Sequence, residues 1–562
     1  MRSYFLLLLL FGIQIHAQNV PTDYFDNPLD IPLILSGNFG ELRSNHFHSG
    51  LDIKTQQRRG LPIYAPADGY VKRIKVAHYG YGKALYITHP NGYNTVYAHL
   101  DAYAGAIQEY VKKKQYEKEE FQIELFPEPE VLPVSKGDII GYTGNTGSSG
   151  GPHLHYEIRD ASSRPMNPML FGINIADNKD PLVNAIMVYP SGEDAHVNGS
   201  QKPQKLRLTK QKDGSYRAEG IEALGTLGFG VSTNDQHDGA SNKNGSYIIT
   251  AFFNGEETYK VQFNRFSFSE TRYLNRYIDY GYYKKNKVRV QKLFREPNNP
   301  LSVIINEVGK GYVSVEDGFS SVFRIEILDF QKNKTVVTIP VTGKQQEITD
   351  PLVMDENLDF VVHNQGNSIT KGKFSIYIPA ESLYEDTYLN IQADVDTLKL
   401  HEDVVPLHKN MTLSFDASNY TKEDMGKLYI GRYNYNKPPI YYTTYRNGKK
   451  LSAKTRRFGT YVLGRDTIAP TIEPANFQDE KWISKNETLI LKIEDDASGI
   501  GTYRATINGK FILTEYDYKK DVLVYDFDDN IITEAENKLK VIVVDNVGNS
   551  TTFEATFFRK QL

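Results

Sequence analysis

The sequence predicts a mainly β chain of several domains, and three observations predict it. Short apolar alternations separated by Gly, Pro, Asn and Asp turns recur through most of the 562 residues. Aromatics that favour strands are plentiful, with 39 Tyr and 28 Phe against a single Trp, Trp482. Helical periodicity is confined to one stretch near residue 110. The length implies three or four domains. At 40% hydrophobic and 24% charged residues, the composition is globular, with material for several cores. A net charge of −4 offers no basic excess for nucleic acid or an anionic membrane surface.

The elements follow in order. Arg2 precedes an apolar run from Phe5 to Phe11 and a break at Ala17-Gln18, which is the pattern of a secretory signal peptide over residues 1–17. The run is shorter than the ~20 residues a membrane span needs, and no other segment reaches that length. With no cysteine in the chain, no lipid-modified Cys can follow the leader, and any metal site must use His and carboxylate. From about 20 to 175 the pattern is all-β. Pro62 to Val71 reads as strand, turn, strand. Leu85–Thr88 and Thr95–His99 flank Pro90-Asn91-Gly92, a hairpin in which Asn-Gly supplies positive φ angles. The exception is Tyr103–Lys118, where Ile107, Tyr110 and Val111 recur at helical spacing beside a charged face. Phe121–Leu125 then alternates like a strand, and Pro127, Pro129 and Pro133 argue against regular structure beyond it.

Past residue 176 alternation continues with almost no helical periodicity. Breaks at Ala176–Asp180, Gly343–Pro351 and Asp466–Pro470 divide it into a β-sandwich-like domain (176–345), a β-rich domain (346–466) and a β-sandwich (467–562). In the last, Leu489, Leu491 and Ile493, then Tyr503, Ala505 and Ile507, then Leu539, Val541 and Val543, mark inward faces. The turns Asn234–Gly239 and Asp495-Asp496 carry oxygen ligands of the kind calcium uses. They read more simply as solvated turns.

Seven of the 13 histidines lie between His46 and His155, so chemistry is sought there. His48-Ser49-Gly50-Leu51-Asp52 puts a His and an Asp four residues apart. In a straight strand they stand ~13 Å apart, so a shared ion requires a bend, which Gly50 permits. In His153-Leu154-His155, residues i and i+2 of a strand share a face, and the two imidazoles project together. His99 ends the hairpin strand. Two His and one carboxylate with an open fourth position describe a catalytic zinc site. Two further imidazoles would serve for proton transfer or oxyanion stabilisation. There is no HExxH helix, so a histidine must act as base.

From about Gly37 to Glu157 the chain resembles the lysostaphin/LytM-type zinc endopeptidases, which hydrolyse peptidoglycan. The resemblance runs through Phe39-Gly40, Arg43, His48-x-x-x-Asp52, Ala65–Gly69, Tyr97-Ala98-His99-Leu100, Gly137–Gly141 and Gly151–His155, in the family's order. It implies a groove-shaped antiparallel β peptidase domain holding one Zn2+. It also implies that His48, Asp52 and His155 are the metal ligands, with His99 and His153 as the non-ligand catalytic histidines. His46 is then a flanking groove residue, and His78 and His89 are ordinary strand or turn residues. The family often joins His99-Leu100 to Gly137-Asp138 by a short connection. Here an insertion over about 101–136 intervenes, either a groove wall or a surface elaboration. The implied protein is an exported metalloendopeptidase acting on peptidoglycan peptides in the periplasm, the envelope, the cell surface or the medium. The rival reading is a non-catalytic envelope scaffold or amidase activator. The last module resembles bacterial immunoglobulin-like domains through Asp496–Ile500 and Asp545–Asn549, which suggests an envelope protein partner for the C-terminal β domains.

Overall fold

The computed structural model describes residues 20–353, 355, 357–529 and 531–560. The signal peptide expected at 1–17 lies outside them. The chain is mainly β, built of antiparallel sheets with short helices between them. Among the described residues, no helix is long and apolar enough to cross a membrane.

The first unit is a nine-stranded sheet. Its path runs Leu35–Gly37, Leu51–Lys54, His153–Arg159, Asn94–Ala98, Lys83–Thr88, Gly69–Val76 and Ile123–Leu125, with two short strands attached at its sides. A separate three-stranded sheet (Pro62–Tyr64, Ile139–Tyr142 and Ala102–Tyr103) lies beside it. The strand His153–Arg159 sits between two partners whose register sets the site. His155 lies opposite Asp52 on one side and Ala98 on the other. Alternation places Leu154, Tyr156 and Ile158 in the core and leaves His153, His155 and Glu157 on the other face.

Local details refine the sequence reading. The hairpin at Asn91-Gly92 forms, but only Gly92 takes a positive φ (86°). Pro133, despite its missing N–H, opens a two-residue edge strand paired with Tyr70, a position where no ladder donor is needed. Gly50 is required by closeness rather than by freedom, since a Cβ there would collide with the Tyr156 carbonyl. The predicted helix spans Gly105–Lys118 and buries Ile107, Val111 and Gln115 against the sheet domain. Beyond residue 176, short helices at Leu274–Tyr277, Tyr280–Asn286 and Lys422–Lys427 interrupt the β pattern; they are too short to leave a periodic signature.

The second unit is a twelve-stranded sheet over residues 182–343, led by the paired long strands Leu182–Val197 and Ile221–Asn234. One hydrophobic cluster runs from Phe25 to Val341, so the two units share a core. Phe39 stacks on Phe266 at 5.0 Å, and Phe47 meets Phe263 at 5.4 Å and Phe266 at 5.5 Å. Residues 359–465 and 471–558 each form further sheets around a core of their own.

The insertion proves to be the seat of the last module. Lys112 and Tyr116 pair with Asp529, and Glu119 pairs with Arg504. Nearby, Lys83 meets Glu515 at 2.8 Å, and His78 lies among Phe121, Tyr503 and Tyr516. Tyr518 and Lys519 reach the loop after Tyr142, donating to the carbonyls of Gly147 (3.2 Å) and Asn145 (2.7 Å).

Candidate metal centre

The backbone brings five sequence-predicted residues to one place. His48 precedes the strand that carries Asp52, and the register sets His155 directly across from it. Asp52 Oδ1 lies 2.9 Å from His48 Nε2 and 2.9 Å from His155 Nδ1, and these nitrogens are 3.1 Å apart. The three donor atoms lie within 4.8 Å of one another, and all three residues are buried. His153 Nε2 approaches the same carboxylate oxygen at 3.4 Å.

Each histidine is oriented by its other nitrogen. His48 Nδ1 donates to the Asn38 carbonyl at 2.7 Å, which leaves Nε2 as a lone-pair donor. His155 Nε2 donates to Glu157 Oε1 at 2.8 Å, which leaves Nδ1 facing Asp52. Asp52 Oδ2 is held by Arg43 at 2.8 Å. Such a set, two imidazoles and a carboxylate with their outer atoms already engaged, fits a divalent metal of the zinc class.

His99 and His153 flank this set, with ring centroids 4.8 Å apart. His99 adopts a left-handed backbone (φ 62°), uncommon for a residue with a side chain. Its Nδ1 donates to the Thr146 carbonyl at 2.9 Å, and His153 Nδ1 donates to the Gly151 carbonyl at 2.8 Å. Both rings therefore present Nε2 as a lone pair, that of His153 facing Asp52 Oδ1 at 3.4 Å. Burial, reinforced by the neighbouring His155 and His153, lowers His99 to about 3, so it is neutral at ordinary pH. Burial alone would raise the Asp52 carboxyl. The surrounding His48, His153 and His155 reverse this and hold it well below the usual carboxylate range.

Sequence reasoning missed the groups that hold these candidate ligands. Glu157 is fully buried, accepts from His155 and Ser49, and is bound at 2.6 Å by Arg159; Tyr81 also donates to it. Period-2 alternation from His153 and His155 marks Glu157 as the next residue on that face, so a signal was present. Asn38 left no such signal. Of the other histidines, His46 is exposed with its ring on the Ser44 carbonyl, and His89 is buried between Asp68 O and Thr95 Oγ1.

Fold and site together define a β domain with a candidate His-Asp-His metal set and two attendant imidazoles. Residues 46–116 and 131–168 match peptidase family M23, so the chain carries an M23 peptidase domain; residues 359–466 match a Zu5-like domain. The break between the two M23 segments falls inside the insertion. The chain is 36% identical over 128 residues to the DD-carboxypeptidase/endopeptidase Mpg of Neisseria meningitidis, covering 23% of each chain. It is 32% identical over 157 residues to the peptidoglycan DD-endopeptidase ShyA of Vibrio cholerae, covering 27% of this chain and 30% of that one. The alignments thus span under a third of either relative. The catalytic domain of lysostaphin from Staphylococcus simulans is 23% identical, with 24% of this chain and 90% of that domain covered, at a TM-score of 0.18.

Proposed function

We propose that the protein is an exported zinc metalloendopeptidase that hydrolyses the peptide cross-links of bacterial peptidoglycan. The observation that carries this reading is the pair of unprotonated Nε2 atoms, on His99 and His153, beside the donor set of His48, Asp52 and His155. An envelope scaffold has no need of two imidazoles held in one tautomer next to a metal set. The leader-like residues 1–17 and the activities named for the Neisseria and Vibrio relatives support export and a peptidoglycan substrate.

His48 Nε2, Asp52 Oδ1 and His155 Nδ1 would hold the ion. The chemistry it supplies when bound is Lewis acidity, which acidifies water and polarises a carbonyl. The chain's own residues do the rest. His99, kept neutral by burial, accepts a proton at Nε2 from the attacking water. His99 then returns that proton to the departing amine, and His153, less buried and on the same strand as His155, donates to the carbonyl oxygen when its Nε2 is protonated. Arg43 holds the Asp52 carboxylate and Glu157 orients the His155 ring.

The test is a digest of purified peptidoglycan, with products identified by mass spectrometry alongside metal analysis. Asp52→Ala should lose about one equivalent of zinc, that of this site, while remaining folded. His99→Ala and His153→Ala should keep zinc yet lose hydrolysis on the order of 10²-fold. Near-normal turnover in both would assign the chemistry elsewhere. A folded wild-type chain that neither retains zinc nor cuts would favour the scaffold.

A further inference from the structure

A second cluster of metal-ligating side chains lies in the twelve-stranded unit, away from the peptidase site. Asp177, in the segment that links the two units, meets Asp235 and His237 from the loop between the strands Ile221–Asn234 and Ile248–Phe253. One donor atom from each lies within 4.8 Å of the others. The turn at Asn234–Gly239, which reads from sequence as solvated, is not so. Asp235 is 1% exposed, His237 3% and Asp177 8%. His237 Nε2 faces Asp235 Oδ2 at 3.5 Å and Asp177 Oδ2 at 3.9 Å, too long for good hydrogen bonds.

Two features point to an ion rather than to packing. Both oxygens of Asp235 and Oδ2 of Asp177 are buried without a hydrogen-bond partner. Ionised carboxylates in that state cost several kcal/mol each unless a cation offsets them. Among the described residues, no lysine or arginine pairs with either, and a third buried carboxylate, Asp329, adds to the charge. Burial and the Asp177 carboxylate push Asp235 up to about 8 in the absence of such a cation.

His237 is also prepared as a ligand. Its Nδ1 lies 3.2 Å from the Asn244 amide, whose Oδ1 has no partner. With that amide turned over, Oδ1 accepts the Nδ1 proton, and Nε2 faces the two carboxylates as a lone pair. Asp235 and Asn244 are in turn tied by reciprocal backbone hydrogen bonds of 2.9 and 2.8 Å, which close the loop around the cluster.

We propose that Asp177, Asp235 and His237 form a second, structural site for a divalent transition ion of the zinc class. An imidazole among the donors disfavours calcium, which takes oxygen ligands, and suits zinc. The site's three donors are almost wholly buried, so an ion held by them is shielded from solvent. Its loop also reaches the peptidase centre. Gly245 exchanges two hydrogen bonds with the Asn38 side chain, at 2.7 and 2.8 Å, and the Asn38 carbonyl orients His48. A Cβ at Gly245 would stand 3.0 Å from Glu41 Cα, so the loop approaches as closely as a glycine permits.

The experiment counts metal in full-length protein and does not depend on peptidase activity. Expressed with zinc, the parent should carry about two equivalents, and His48→Ala/His155→Ala, which empties the first site, about one. Adding His237→Ala to that background should remove the remaining equivalent. A His48→Ala/His155→Ala protein without metal overturns the proposal, as does one that keeps its metal after His237→Ala. Should the triple variant not fold, cobalt(II) in the double variant gives the answer. A visible spectrum with nitrogen ligation supports the site, and an all-oxygen spectrum or no uptake refutes it.

Discussion

Phe266→Ala tests whether the peptidase sheet and the twelve-stranded unit share one core. Phe266 is 1% exposed and its ring lies 5.0 Å from Phe39 and 5.5 Å from Phe47. Phe47 immediately precedes His48, a proposed ligand. Truncating a fully buried Phe to Ala costs about 3–5 kcal/mol, the lost transfer energy plus the cavity. Because several modules make a single unfolding midpoint ill-defined, the readout is amide exchange, strand by strand. If the core is continuous, amides of Leu51–Lys54 and of Ile248–Phe253 should exchange faster together, on the order of 10² to 10⁴-fold. Phe268→Ala is the control. That ring is 44% exposed over Arg159, and its loss should cost about 1 kcal/mol or less. Acceleration confined to residues 182–343, or a cost as small as the control's, would refute the shared core.

Three further outcomes are expected. Glu157→Gln weakens the partner of His155 Nε2 and should lower zinc affinity by about 10–100-fold in a chelator competition; unchanged affinity would show that Glu157 serves packing alone. His99 is held at about 3 when folded, against 6.5 in an ordinary environment, so its contribution is full above pH 6.5 and lost as pH falls towards 3. From pH 6.5 to 5 this amounts to about 2 kcal/mol, which His99→Asn should spare in urea titrations; equal acid sensitivity removes His99 as the cause. A chain ended near residue 175 lacks Gly245, Phe263 and Phe266, and should hold zinc less well than a His237→Ala chain ended near 345, which also has only the first site, as metal analysis after dialysis will show; equal retention argues for a self-sufficient first unit.

What was legible in the sequence was what repeats over short distances. Alternation in His153-Leu154-His155 placed two imidazoles on one face, and the strand His153–Arg159 carries them there. The helix near residue 110 and the apolar faces of the last module followed from the same local periodicities. What escaped was set by contacts between distant segments. Asn38 and Gly245 are 207 residues apart, and nothing near either residue announces the other. The turn at Asp235 looked solvated because its neighbours are polar; only Asp177, brought in by the linker, and the closure of the loop at Asn244 make it an interior. The insertion likewise has a meaning only once the module some 400 residues later packs on it.

These long-range contacts converge on the proposed metal centre from two sides. On one side, the second unit holds Asn38 through Gly245 and Phe47 through Phe263 and Phe266, and so fixes His48 from behind. On the other, Tyr518 and Lys519 of the last module hold the carbonyls of Gly147 and Asn145, on either side of Thr146, whose own carbonyl fixes His99. A proposed ligand and a proposed proton acceptor are thus each secured by a different downstream module. Positioning within about 0.5 Å is what such a centre requires, and a nine-stranded sheet with its site in loops and at strand ends supplies only part of it. The C-terminal domains, which carry no chemistry of their own in sequence, therefore belong to the architecture of the site as well as to whatever surface the protein meets.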